Sequence, residues 1–304
     1  MASKDRLEAL QQHLSCNPTA SPTEGGFTLP PSVPQHFPTL VPGPWKDCHP
    51  RFGHGLLVKD YFLEGRAHVL YGKWAQEYGP IYAMVVYEPY TKLASVRVVL
   101  SDPQEVRRIL KLNPPKPPGY EDSVILGQAV LSVSDEYEWA RQRELLKPAF
   151  SNPALKEIMP VLTGEVRHLM DHLKTEARAG PLDIHEVLSA AAFLMIGSSA
   201  IGEEAEFLTR RAKKLRDAFH VVTMKETVRI NINRDPDYQA ARDEIESFTD
   251  ETIARYEQSV QEGTCPAKGK DTLISIIMSK DQNGCPHMNQ RQKKDGLSTF
   301  MFAG

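Results

Sequence analysis

Trp139 and Arg143 are the residues whose types and spacing point most directly to ligand chemistry. They stand four positions apart, which places both side chains on one face of a helix. An indole N–H and a guanidinium group donate hydrogen bonds and accept none, and Arg can hold a carboxylate in bidentate geometry. The pair predicts a donor-only surface for a planar ligand that carries a carboxylate. The alternative is an amphipathic helix with a core Trp and a solvated Arg.

The helix that would carry this pair has identifiable ends. Ser134 and Asp135 are residue types that cap helix N-termini. Glu136 and Glu138 suit the positive end of a helix dipole. Pro148 must stop or kink the helix. We therefore expect one short helix between the caps and the proline.

The four cysteines do not form a recognisable cluster. Cys16, Cys48, Cys265 and Cys285 contain no C-x-x-C pair, and no secretory signal precedes them, so a disulfide framework is not expected. Cys265 and Cys285 each precede a Pro, which leaves a haem-ligating Cys-Pro pair or a zinc site with His287 as alternatives. The spacing fits no zinc module. Free thiols in loops are the favoured interpretation, and no metal ligand is assigned.

Other catalytic motifs are absent from the sequence. It contains no G-x-S-x-G, H-E-x-x-H, P-loop or G-x-G-x-x-G string. His168 and His172 stand four apart and could form half of a metal site. Without a third ligand, an exposed helix face is the better interpretation.

Composition excludes some classes of partner. Of 304 residues, 36 are Lys or Arg and 39 are Asp or Glu, which gives a net charge of −3. This balance implies no nucleic-acid partner. The 41% hydrophobic content is enough for a real core.

Hydrophobic periodicity predicts a mainly α fold with a small β-sheet. A helical stripe ends at Gly79-Pro80, and two β-rich runs, Ile81–Tyr87 and Ala94–Leu100, follow as a hairpin. A further helix starts at Ser101-Asp102-Pro103. Beyond Phe150 apolar residues recur at helical spacing almost throughout.

The N-terminal 45 residues have a different character. They are polar and rich in Pro, and residues 16–45 predict an extended arm or linker. We expect residues 1–45 to be an N-terminal extension and residues 46–304 to be one domain.

The element order, Trp139, Arg143 and the exit Lys147-Pro148-Ala149-Phe150-Ser151 together resemble the cytochrome P450 family, which comprises haem-thiolate monooxygenases. The resemblance implies the P450 fold from the A-helix to the middle of the I-helix. It also implies a haem cofactor, with Trp139 and Arg143 holding a haem propionate.

The same resemblance suggests roles for five further residues. The last residues resemble the family's I-helix on the oxygen side of the haem, where small side chains are needed, so Ala303 and Gly304 are the catalytic-side candidates. In the family the loop before the Trp helix roofs the substrate pocket. Ile125 and Leu126 of that loop, together with Phe300 of the last segment, are the candidate substrate contacts, with plain core packing as the alternative for the loop residues.

One part of the family's chemistry is missing from the sequence. The family's iron ligand is a Cys thiolate in a Phe-x-x-Gly-x-Arg-x-Cys-x-Gly loop, and no such string occurs here. We therefore expect an incomplete fold that lacks the C-terminal, haem-ligating part. The sequence indicates an enzyme by family and leaves the activity of this chain alone open.

Two hypotheses about function follow. The first is a haem-dependent monooxygenase, here as a truncated chain, that inserts one atom of dioxygen into an apolar small molecule with electrons from a redox partner such as an NADPH-dependent reductase. The alternative is a non-catalytic truncated product that acts as an interaction protein or binds an apolar ligand.

Location is predicted from the apolar segments. Val187–Gly202, the longest apolar run, is expected to be a buried helix that Asp183 and Glu186 open with a capping-box spacing. With neither a transmembrane helix nor a secretory signal in evidence, we expect a cytoplasmic protein or a peripheral one at an internal membrane.

Overall fold

The computed structural model describes residues 29–34, 36–88, 93–112, 114, 116, 121, 123–202, 205–228, 234–264 and 272–303. The chain divides into two compact units, Met1–Pro114 and Pro115–Gly304. Each unit has an apolar core of its own.

The first unit combines short helices with one antiparallel hairpin, as the periodicity predicts. The hairpin pairs Ile81 with Leu100 at one end and Glu88 with Leu93 at the other. Gly79 ends the helix before it at φ +96°, a conformation that glycine adopts at little cost. The elements are α1 Phe37–Leu40, a 3₁₀ turn Trp45–Asp47, α2 Gly55–Leu63, α3 Ala67–Tyr78, β1 Ile81–Glu88, β2 Leu93–Leu100 and α4 Pro103–Leu112.

Both faces of the hairpin are covered. Successive side chains of a strand point to opposite faces, and the core follows this alternation. Ala83 and Val85 pack into a cluster with the N-terminal segment. Tyr82 and Met84 pack on the other side with Trp74 of α3. The hairpin therefore forms the centre of the first unit.

The N-terminal segment that covers one face carries an apolar residue at every fourth position. Leu29, Val33, Phe37 and Val41 are each 2% exposed, and Trp45 is 6% exposed. The Trp45 indole N–H donates to the Val41 carbonyl oxygen at 3.0 Å. This stripe binds the segment to the sheet.

The prediction of an extended arm over residues 16–45 is therefore wrong from residue 29 onward. Proline and small polar residues dominate the composition of the segment, but its regularly spaced apolar side chains bury it against β1. Residues 1–28 of the predicted extension lie outside the described residues.

The second unit is helical in all of its described elements. Asp135 caps the first helix, and its Oδ1 accepts from the Glu138 N–H at 2.7 Å. Ser151, Asp183 and Asp235 cap three later helices. The elements are α5 Glu136–Leu146, a 3₁₀ turn Lys147–Phe150, α6 Asn152–Ala179, α7 Ile184–Ile196, a π-helical turn Gly197–Ile201, α8 Ala205–Val228, α9 Pro236–Glu262, α10 Leu273–Ile277 and α11 Gln290–Ala303.

The core of this unit lies between α7–α11 and the loop before α5. Leu215 of α8, Phe248 of α9 and Leu297 of α11 are fully buried, and Ile125 of the loop belongs to the same cluster. The middle of the last helix, from Gln292 to Met301, is mostly buried, and the loop and α5 pack against it.

The apolar run Val187–Gly202 forms α7 and the π-helical turn, with the predicted cap at Asp183. The sequence predicts a buried helix, but only 28% of the stretch Ile184–Ile201 lies inside the protein. Among the described helices this stretch is the one whose length and composition would suit a bilayer crossing. Buried core helices of other proteins can meet the same two criteria.

Candidate functional site

Trp139 and Arg143 lie one turn apart on α5, and the structure brings them together as their spacing predicts. The Arg143 Cζ lies 5.4 Å from the centroid of the Trp139 ring, within the range of a cation–π interaction. Trp139 is half-buried and Arg143 is exposed. The two side chains form one surface whose polar atoms are all donors.

Lys116 adds a second cation to this surface. Its Nζ lies 5.9 Å from the Trp139 ring centroid and donates to the carbonyl oxygens of Val130 at 2.7 Å and Val133 at 3.3 Å. Burial lowers the pKa of Lys116, and the charge of Glu121 opposes that effect. The carbonyl oxygens fix the ammonium group beside the indole ring.

The donors of Trp139 and Arg143 have no acceptor in the part of the chain that the structure describes. Neither the indole N–H nor the guanidinium group donates a hydrogen bond to any residue that the structure describes. Arg141, two residues before Arg143, is fully engaged by contrast. It donates to the Glu138 carboxylate at 2.7 and 2.8 Å and to the His287 carbonyl oxygen at 2.7 Å. Arg141 is therefore a structural arginine, whereas the Arg143 guanidinium has no hydrogen-bond acceptor among the described residues.

The loop from Ser123 to Val133 precedes α5 and carries two predicted substrate contacts. Ile125 is 2% exposed and lies in the apolar core, with the half-buried Leu126 packed against the same cluster. The Ile125 carbonyl oxygen accepts from the Ser298 Oγ at 2.6 Å and from the Thr299 Oγ1 at 3.1 Å. The loop backbone is thus fastened to α11.

Phe300 and Ala303 lie near the C-terminal end of α11. Phe300 is half-buried against the same core cluster, and its ring centroid lies 6.0 Å from that of Phe150. Ala303 is exposed. Gly304, the other predicted oxygen-side residue, lies outside the described residues. The structure therefore brings Phe300 into one cluster with Ile125 and Leu126.

The two described cysteines differ in environment. Cys48 is buried in the core of the first unit, and burial raises the pKa of its thiol to about 11. Cys285 is exposed. A thiol with a raised pKa is a poor thiolate ligand. Cys16 and Cys265 lie outside the described residues.

His168 and His172 are both exposed on α6. The described ranges contain no group of three His, Cys, Asp or Glu side chains that could hold a metal ion. The His168 Nδ1 lies 3.9 Å from a carboxylate oxygen of Glu165, and its side chain is 79% exposed. His168 therefore lies on an exposed helix face, the interpretation that the sequence favoured.

Sequence reasoning identified the Trp–Arg pair and did not identify Lys116. This lysine stands between two proline pairs, Pro114-Pro115 and Pro117-Pro118, a pattern that indicates a rigid loop and gives no sign of a ligand contact. Its position beside the Trp139 ring depends on a contact between distant positions of the chain, which no local pattern reports.

Comparison with known proteins gives consistent matches. A family model described as Cytochrome P450 matches residues 42–304. The Caenorhabditis elegans cytochrome P450 CYP13A8 is 29% identical over 177 residues, which cover 54% of this chain and 31% of that protein. Cytochrome P450 734A5 of Oryza sativa subsp. japonica is 30% identical over 135 residues, or 43% of this chain and 24% of that protein.

A solved structure shares the fold. The structure titled retinoic acid bound cyanobacterial CYP120A1 superposes with a TM-score of 0.61 at 16% sequence identity, covering 84% of this chain and 54% of that chain. The match confirms the predicted fold class over the part of the fold that this chain supplies. The matched segments span less than a third of the two curated relatives.

Proposed function

The chain belongs to the cytochrome P450 family, and on that premise we propose that it supplies the carboxylate-holding and oxygen-side helices of a haem-dependent monooxygenase. Haem, when bound, would supply the oxidative chemistry that inserts one atom of dioxygen into an apolar organic substrate. The chain's own residues would bind and orient the cofactor and shape the substrate pocket.

The observation that carries this proposal is the unused donor set on α5. The Arg143 guanidinium would hold a propionate in bidentate fashion, and the Trp139 indole N–H would donate a further hydrogen bond. Lys116 would add positive charge beside them. The Trp139 indole N–H and the Arg143 guanidinium have no acceptor among the described residues. A carboxylate would therefore bind them without displacing an internal partner.

The remaining roles rest on placement in one cluster. Ile125, Leu126 and Phe300 would line the apolar substrate side, and Ala303 and Gly304 would allow close approach on the oxygen side. The first three belong to or pack against one core cluster, which supports an apolar environment. An apolar small molecule as substrate and an NADPH-dependent reductase as electron donor follow from the family.

The monooxygenase proposal requires a Cys ligand for the haem iron. No Cys loop of the family's type occurs in the 304 residues, so the monooxygenase proposal concerns a polypeptide that continues past Gly304. We expect the transcript to continue in frame into such a loop. A stop codon directly after codon 304 in the mature message would contradict the proposal, and would favour the alternative of a non-catalytic binding protein.

The carboxylate role can be tested without iron or its ligand. Metal-free protoporphyrin IX carries two carboxylates, and its dimethyl ester has none that can ionise. We expect the chain to bind the diacid more tightly than the ester. Arg143→Ala should weaken diacid binding by roughly 10- to 100-fold, because a hydrogen bond to a charged group contributes about 1.5–3 kcal/mol.

The matched control is Arg167→Ala, which removes an exposed arginine from α6 of the same unit. It should leave both affinities unchanged. Equal affinity of the wild-type chain for diacid and ester would refute the carboxylate role. A haem-thiolate carbon monoxide spectrum from the protein purified from its natural source would exclude the non-catalytic alternative.

A further inference from the structure

Glu138 stands next to Trp139 in the sequence and is the centre of a polar cluster between α5 and α11. Its carboxylate accepts from Arg141 of its own helix at 2.7 and 2.8 Å and from the Gln142 Nε2 at 2.9 Å. It also accepts from the Gln292 Nε2 of α11 at 2.7 Å. The last bond joins two helices through residues that stand 154 positions apart along the chain.

Gln292 is oriented for this bond by its own surroundings. Its side-chain oxygen accepts from the Asn289 backbone N–H at 3.0 Å, while the Asn289 Oδ1 accepts from the Gln292 N–H at 2.9 Å. These two hydrogen bonds leave the Gln292 amide N–H pointing at Glu138. Gln292 is 8% exposed, so water competes little for the bond.

A second set of bonds fastens the preceding loop to the same helix. The Asp295 Oδ2 accepts from the Gln128 N–H at 2.7 Å, and the Gln142 Nε2 donates to the Gln128 carbonyl oxygen at 2.9 Å. Gln128 thus links the loop both to α11 and to α5. The Glu138–Gln292 bond joins α5 directly to α11, and the bond from Arg141 to the His287 carbonyl oxygen joins α5 to the segment just before α11. Both bonds oppose a rotation of α5 about its axis.

We propose that Glu138 is a positioning residue that, through Gln292, fixes the α5 face bearing Trp139 and Arg143 relative to α11. This inference rests on the proposed carboxylate role of that face. A side chain lies about 5–6 Å from its helix axis, so a rotation of roughly 20° would move the donors by about 2 Å. Displacements near 1 Å already impair positioned chemistry.

Gln292→Glu is the variant that tests this bond. It retains the oxygen that accepts from Asn289 and presents a second carboxylate to Glu138 in place of the donor. The reciprocal pair Glu138→Gln with Gln292→Glu restores a donor and an acceptor in reversed order. The matched control is Glu244→Gln, which alters a carboxylate that bridges α8 and α9 through Arg211.

Two readouts separate the positioning role from the carboxylate role. The first is the ¹⁹F resonance of 5-fluorotryptophan at position 139, assigned with Trp139→Phe. The second is the ratio of the affinities for protoporphyrin IX and its dimethyl ester. We expect Gln292→Glu to shift the resonance and to lower the ratio roughly tenfold, the lower end for a hydrogen bond to a charged group.

The reciprocal pair should restore both readouts towards wild type, and Glu244→Gln should change neither. An unchanged Trp139 resonance in Gln292→Glu, or a reciprocal pair that restores nothing, would overturn the positioning role. A wild-type ratio near one refutes the proposed carboxylate function instead, and in that case the resonance still decides whether Glu138 and Gln292 fix the helix.

Discussion

Gly127 is the position where one added methyl group should cost the second unit most. Its φ is +44°, and a Cβ built there would lie 2.6 Å from the Asp295 Oδ1 and closer still to Oδ2. The same carboxylate accepts from the Gln128 N–H at 2.7 Å. Gly127→Ala therefore meets two separate penalties.

The first penalty is the left-handed backbone, which costs a residue with a Cβ about 1–2 kcal/mol. The second is displacement of the buried Asp295 carboxylate, and loss of a hydrogen bond to a charged group costs about 1.5–3 kcal/mol. We expect Gly127→Ala to lower the free energy of unfolding by the sum, about 2.5–5 kcal/mol.

Gly263→Ala is the matched control, because Gly263 has φ +73° and open space around the added atom. It should cost only the backbone penalty, about 1–2 kcal/mol. Urea unfolding followed by circular dichroism, fitted separately for the two units, measures both variants. In an Asp295→Ala background, Gly127→Ala should cost no more than the control. Equal costs for the two glycine variants in the wild-type background would refute the close approach of Asp295 to the loop.

Three further predictions concern buried or exposed groups outside the donor set. The buried His54 accepts from the Val85 N–H at 2.9 Å through Nδ1 while its Nε2 lies 2.8 Å from the Pro44 carbonyl oxygen, and burial lowers its pKa. The unfolded chain therefore binds the proton more readily, and the first unit should lose stability as pH falls below about 6.5. Urea unfolding at a series of pH values should show this loss of stability. His54→Gln should flatten the pH dependence of the unfolding free energy, and replacement of the exposed His68 should leave it unchanged. Iodoacetamide at pH 8 should label Cys285 in the native protein and reach Cys48 only in denaturant, because Cys48 is buried and burial raises the pKa of its thiol to about 11. Peptide mapping that finds equal labelling of the two cysteines in the native protein would contradict the burial of Cys48. Glu244→Gln should destabilise the second unit by about 1.5–3 kcal/mol, since charge-assisted hydrogen bonds to a buried carboxylate are lost while Arg211 keeps its pairing with Glu251. The exposed Glu246→Gln should cost under about 0.5 kcal/mol, and similar unfolding midpoints for the two would argue against the α8–α9 bridge.

Local signals in the sequence were sufficient for the helix that carries the donors. Asp135 is followed by the helix it caps, and the four-residue spacing of Trp139 and Arg143 places them on one face. The hairpin was predictable for a similar reason, because its two apolar β-rich runs are short and flank residues suited to a turn. These features depend on residues close together in the chain.

The features that were missed depend on contacts over long sequence separations. The N-terminal segment looked like a linker by composition, and only its packing on β1 shows that its apolar spacing matters. Lys116 gains its role from the ring of Trp139, and Glu138 gains its role from Gln292. Short-range periodicity cannot report which elements will meet.

The most direct test of the carboxylate role is a crystal structure of the chain with metal-free protoporphyrin IX. We expect one porphyrin carboxylate about 2.7–2.9 Å from the Arg143 guanidinium, the usual length of such charge-assisted hydrogen bonds, with the Trp139 indole N–H donating to the same group. A bound porphyrin whose carboxylates both lie in solvent, away from Arg143 and Trp139, would contradict the proposal.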